Sequence, residues 1–134
     1  MKGDSSPRSD LEDPRTSVYF SLPRDVRAPR FARVALRDLL ASHEWPRADD
    51  AELIISELVA NAVQHGVGQI TLTLWLAEGR IHGEVSDAGT GTRPRPVPPG
   101  EDSIGGRGLT LVDALSDRWG TGETTSRVWF EIAV

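Results

Sequence analysis

The chain predicts an α/β fold, a two-layer α/β sandwich with a mixed β-sheet and helices on one face, and three observations point to it. Ala51, Ile54, Ile55, Leu58, Val59, Ala62 and Val63 recur at the spacing of an amphipathic helix. Ile70 to Leu76 and Ile81 to Asp87 each alternate in polarity and flank the turn Glu78-Gly79-Arg80, the pattern of a β-hairpin. The order strand, helix, helix, strand, strand, loop, helix, strand then allows one layer of helices to cover one sheet.

Taken in order, residues 1–15 are rich in Ser, Pro, Asp and Arg and read as a disordered tail, so the folded domain is expected over residues 16–134. Thr16 to Leu22 carries Val18, Phe20 and Leu22 in alternation and is stopped by Pro23. Ala28-Pro29 opens a helix, because proline suits a first turn, with Phe31, Val34, Ala35, Leu39 and Leu40 as its apolar positions. It ends before Trp45-Pro46. The next helix runs from about Arg47 to His65, with Asp49 and Asp50 at its positive end and Gly66 and Gly68 beyond its other end. After the hairpin, Ala88 to Gly106 holds four prolines and five glycines, and a loop of that length in a compact domain is commonly functional or disordered. Leu109 to Leu115 reads as a short buried helix, Gly120 to Gly122 as a turn, and Arg127 to Val134 as a last strand with Val128, Phe130 and Ile132 on one face. Trp75 and Trp129 are expected in the core or under the helices, and Trp45 as an exposed aromatic.

Composition narrows the function. At 134 residues the chain can bury one core but not two. A formal charge of −5 without a dense Lys/Arg cluster argues against nucleic acid as a direct partner. The lack of cysteine removes disulfides and thiolate metal sites, and three scattered histidines give no zinc spacing. The apolar runs are too short to span a bilayer and the polar start lacks a signal-peptide core, so no membrane partner and a cytoplasmic location are expected.

Three motifs carry chemistry. Glu57 and Asn61 stand one turn apart on the long helix, roughly 40° from each other on a wheel of about 100° per residue, and off its apolar stripe. Asp87 ends a strand and is followed by Gly89 and Gly91; a carboxylate accepts from an exocyclic amine such as that of adenine, and glycines let a flat ring approach the main chain. Gly105-Gly106-Arg107-Gly108-Leu109 leads into a helix, where unpaired N–H groups and the dipole favour phosphate and Arg107 can add a charged contact. Singly, these read as a polar pair on a core helix, an Asp-Gly turn and a glycine hinge. Their conjunction in this order carries the information.

The set resembles the ATP-binding domain shared by gyrase, histidine kinases and mismatch-repair ATPases, the Bergerat fold of the GHKL superfamily, over nearly all of Thr16 to Val134. Within it, Asn61 to Gly66 and Gly105 to Gly120 are most similar to the small bacterial anti-sigma-factor serine/threonine kinases. The resemblance implies ATP and Mg2+ as cofactors, with Asn61 binding the metal and Glu57 orienting or deprotonating the attacking hydroxyl. It implies that Asp87 reads adenine in a pocket shaped by Gly89 and Gly91, and that Gly106, Arg107, Gly108 and Leu109 form the phosphate segment beneath a lid of about Thr92 to Ile104. That lid lacks a lysine, but Arg93, Arg95 and Arg107 are cations able to meet phosphate. The implied partners are a sigma factor, an anti-sigma antagonist with a STAS domain, and a second copy of the chain paired through the edge strand Thr16 to Leu22. One position departs from the family. Where a Thr commonly supports the adenine-binding Asp, just before the Val of the last strand, Arg127 stands with Ser126 before it, which would weaken the hold on adenine. The alternative readings are a catalytically inactive docking module of the same fold and the isolated ATPase domain of a histidine kinase.

Overall fold

The chain forms β1 (Thr16–Leu22), α1 (Ala28–Leu39), α2 (Ala48–His65), the hairpin β2 (Ile70–Ala77) and β3 (Arg80–Ser86), then α3 (Ser103–Leu115), β4 (Arg118–Thr121) and β5 (Arg127–Ala133). The computed structural model describes residues 16–41, 45–77, 79–89, 103–122 and 126–133. The tail expected over residues 1–15 and most of the expected lid lie outside the described residues, as do Gly91, Arg93 and Arg95. No helix among the described residues is long and apolar enough to cross a membrane.

The two-layer α/β sandwich is as the sequence predicts, but the sheet is not mixed. Its order is β1-β2-β3-β5-β4, and each pairing is antiparallel. The crossover through α3 delivers β4 in the same direction as β3, and β5 then inserts between them, so no parallel neighbours remain. Without β4 the same chain reads as a strand-helix-strand crossover, which would place a parallel pair in the sheet. β4 escapes sequence reading because it is four residues long and contains Gly120, which the sequence assigns to a turn. Gly120 is needed there because the Trp129 indole lies across it, 2.9 Å from where a Cβ would stand.

On the helix side, Leu72, Leu74, Val85, Phe130 and Ile132 meet Ile54, Ile55 and Leu58 of α2 and Leu109 and Val112 of α3 in one core. Phe130 occupies the space over Gly83, where a Cβ would come 2.5 Å from Cε1. α1 turns a different face inward from the one its large residues suggest. Ala28, Ala32, Ala35 and Leu36 are buried, while Phe31 and Val34 are exposed. Small side chains let the helix approach closely, and Arg37 ties it to α2 through Glu52 at 2.9 Å.

The other face of the sheet is buried at its middle, with polar groups. Trp75 and Trp129 lie on this face and not under the helices, flanking His82 at ring-centroid distances of 4.7 and 5.8 Å. His82 Nε2 is 3.1 Å from Glu84 Oε2 and Nδ1 is 3.2 Å from Glu131 Oε2. Arg118 donates to Glu131 Oε1 and Arg127 to Glu84 Oε2. Burial raises the Glu131 carboxyl, but hydrogen bonds from His82 and Arg118, with the charge of Arg118, outweigh it and hold the group below the ordinary value. Trp45, expected exposed, is half-buried and packs against the core.

Candidate functional site

α2 supplies the first two groups. Glu57 and Asn61 are half-buried, and neither makes a hydrogen bond or ion pair with another described residue. Polar side chains that are partly removed from water usually find a partner, so an acid and a carboxamide a turn apart with none among the described residues are candidates to bind a ligand.

Asp87 follows β3 and is fixed by a knot of main chain. Its N–H donates to Ser126 O at 3.1 Å, Ser126 N–H donates to Gly89 O at 3.1 Å, and Ala88 N–H donates to Val67 O at 2.7 Å. The Asp87 carboxylate accepts the Gly89 N–H at 2.7 Å through Oδ1. Its other oxygen rests against Gly66: a Cβ there would overlap Oδ2 and would lie 2.8 Å from Cγ. Gly66 has extended backbone, φ −86°, so glycine is required by the close approach and not by the dihedral. The carboxylate of Asp87 is thus seated at the carboxyl end of the helix that carries Glu57 and Asn61. At about 1.5 Å per residue, Asn61 lies roughly 7.5 Å along the axis from that seat.

The third segment approaches from α3. Arg47, at the start of α2, donates to Leu115 O at the end of α3 at 2.6 Å, and the two helices pack together. They therefore run antiparallel, and about 18 Å of rise over twelve residues brings the amino end of α3 level with the Ala60–Asn61 region. The glycines do not precede this helix as expected. α3 starts at Ser103, so Gly105, Gly106, Arg107 and Gly108 lie in its first two turns. A helical glycine costs about 1 kcal/mol relative to alanine, which is why propensity placed the start later; the burial of Leu109 and Val112 overrides it. Leu109, expected to meet the nucleotide, is the seventh residue of α3 and 2% exposed, so its side chain is in the core and its N–H lies beyond the helix's first four free donors.

The sequence departure at Arg127 resolves by strand parity. Val128, Phe130 and Ile132 face the helices, so Arg127 points to the opposite face, where it pairs with Glu84 at 3.3 Å and does not reach Asp87. Ser126 instead sits at the site: its hydroxyl oxygen and Asp87 Oδ1 both flank Gly89, at 3.3 and 3.0 Å from where a Cβ would stand. The alternation of β5 was the signal for this. No group of three or more His, Cys, Asp or Glu side chains able to hold a metal stands among the described residues. A divalent cation that needs few protein ligands, as Mg2+ does, still fits the carboxamide oxygen of Asn61, which accepts no bond from another described residue.

A comparison with curated proteins gives no match. Among solved structures, the crystal structure of the RsbU and RsbW domains of Rv1364c from Mycobacterium tuberculosis is similar, with a TM-score of 0.63 and 24% identity, covering 89% of this chain and 31% of that one. This chain therefore spans less than a third of that longer chain, and the likeness is one of fold. A family model described as the histidine kinase-like ATPase domain matches residues 21–131, a span that includes Glu57, Asn61, Asp87 and the glycines of α3. By that match the chain belongs to the histidine kinase-like ATPase domain family.

Proposed function

We propose that this chain binds ATP with Mg2+ along α2 and acts as an anti-sigma factor and serine/threonine protein kinase. The observation that carries the reading is the seat of Asp87 at the carboxyl end of the helix bearing Glu57 and Asn61, neither of which bonds another described residue. Asp87 accepts the exocyclic amine of adenine, with Gly89 and Gly91 giving the ring access to the main chain. The phosphates extend toward Asn61 and the amino end of α3, where the first N–H groups of the helix have no intrahelical partner, and Arg107 adds a cation. Magnesium, held by Asn61, supplies neutralisation of phosphate charge when bound. Glu57 takes the proton of a Ser or Thr hydroxyl as its oxygen bonds to the γ-phosphorus and ADP leaves. Phosphoryl transfer depends chiefly on positioning and electrostatics, so this small set of groups is sufficient.

The substrate in this reading is a STAS-domain antagonist, and the sequestered partner is a sigma factor. The chain works in the cytoplasm, and pairs with a second copy through β1, whose Ser17, Tyr19 and Ser21 are exposed at the sheet edge. Incubation with γ-labelled ATP, Mg2+ and a panel of such antagonists tests the kinase activity. Label is expected on a Ser or Thr of one antagonist, and Glu57→Ala is expected to abolish transfer while still binding ATP. Nucleotide binding with no transfer to any antagonist would contradict the kinase and leave the docking module.

A further inference from the structure

Arg24 stands between β1 and α1, exposed, and its guanidinium spans the carboxyl end of α2. Nε donates to Gly68 O at 3.0 Å, Nη1 to Val63 O at 2.6 Å and Nη2 to Ala62 O at 3.1 Å. The last carbonyls of a helix have no intrahelical partner and carry the negative pole of its dipole. That pole is where Asp87 is seated, so a carboxylate and a row of carbonyl oxygens share one corner of the molecule. A planar guanidinium with several fixed donors both satisfies the carbonyls and offsets their charge, and an ammonium cannot match that fork.

The same contacts fix a shape. The segment 62–68 that Arg24 binds contains Gly66, against which Asp87 Oδ2 rests, and Val67, whose carbonyl accepts the Ala88 N–H. Gly68, held at φ +70°, is a left-handed turn residue whose carbonyl Arg24 takes up directly. Without the guanidinium, the carbonyls of Ala62, Val63 and Gly68 lose the side chain that, among the described residues, ties them to a distant part of the chain.

From this arrangement we infer that Arg24 is a positioning residue for base recognition: it holds the carboxyl end of α2 in the shape that aims Asp87, and so sets the preference for adenine over guanine nucleotides. The inference rests on the proposed role of Asp87 as the carboxylate that reads the base. Guanine presents a carbonyl oxygen where adenine presents an amine, so a well-aimed carboxylate rejects it.

Calorimetric titration of the full chain with ATP and with GTP in Mg2+ buffer, well below the melting temperature, tests this on the wild type, Arg24→Ala, Arg24→Lys and Asp87→Asn. Arg24→Ala is expected to weaken ATP binding about tenfold with GTP binding little changed, so that the preference collapses. Arg24→Lys, which keeps the charge and loses the fork, is expected to fall between Arg24→Ala and wild type. A folded Arg24→Ala that melts lower yet keeps the wild-type ATP-to-GTP ratio would assign Arg24 a purely structural role and overturn the inference. A wild type that does not distinguish the two nucleotides, or an Asp87→Asn variant with an unchanged ratio, would overturn the reading of Asp87 itself, and this inference with it.

Discussion

An arginine stands at each end of α2, and the two differ in what they bind: Arg24 donates to the last carbonyls of α2 itself, whereas Arg47 donates across to the end of α3 and to β5. At the amino end, Arg47 reaches Leu115 O at 2.6 Å, Asp117 Oδ1 at 3.1 Å and Ala133 O at 3.3 Å, and Asp117 Oδ2 in turn accepts the Ala133 N–H at 2.6 Å. That corner joins α2, α3 and β5 and uses its charged groups on one another. At the carboxyl end, Arg24 donates to the helix carbonyls and Asp87 is seated against Gly66, while Asn61 lies further down the axis and Glu57 one turn beyond it, neither bonded to another described residue. The amino-end arginine joins elements to one another, whereas the carboxyl-end arginine meets the helix's own carbonyls beside a carboxylate that keeps an oxygen for a ligand.

The contrast breaks if the amino end proves to matter for nucleotide. Arg47→Ala removes the donor to the Leu115 carbonyl and one of the two partners of the Asp117 carboxylate; allowing for the partial exposure of the pair, it is expected to cost about 1–2 kcal/mol in urea denaturation. ATP affinity should not move. A matching loss of affinity would show that the two ends are not separate in function. Asp117→Asn keeps an acceptor for the Ala133 N–H and removes the charge, so a smaller loss is expected, about 0.5–1 kcal/mol once solvent screening is allowed for.

The smallest effect is on the acid limb of stability. The Ala133 N–H and, after the opposing effect of burial, Arg47 hold the Asp117 carboxyl below its ordinary 3.8. Because the folded value is the lower one, the stabilisation is complete above the ordinary value and is lost as pH falls through the folded value. Wild type should therefore lose stability more steeply than Asp117→Asn when acidified below about pH 4. Equal slopes in denaturation series across that range would show that the carboxylate contributes nothing. Glu131, depressed in the same direction, remains in both proteins and shifts both curves alike.

How far the sequence reaches can be judged at the same two ends. The α2 stripe, the pairing of Glu57 with Asn61 and the placing of Asp87 at a strand end are local, set by periods of 3.6 and 2 that a short window contains. Arg24 is invisible to such reading, since its partners lie 38 to 44 residues away and nothing near it marks it as a cap. The inward face of α1 was hidden because alanine carries little hydrophobic signal, although its small size is what brings the helix against the sheet. Propensity also misplaced the start of α3, because local glycine preference is a weak prior beside the burial of Leu109 and Val112. The placement of Arg127 is legible in the same way as the α2 stripe, since the parity that puts Phe130 inside puts Arg127 outside.

The most direct test of the account is titration calorimetry of the full chain with ATP and Mg2+, wild type against Asp87→Asn, with melting temperatures measured alongside. Asn keeps the acceptor for the Gly89 N–H, so the fold should melt unchanged, while loss of the charged acceptor should weaken ATP binding by about tenfold or more. Absence of ATP binding by the wild type, or undiminished affinity in Asp87→Asn, would contradict a nucleotide lying along α2 with its base at Asp87.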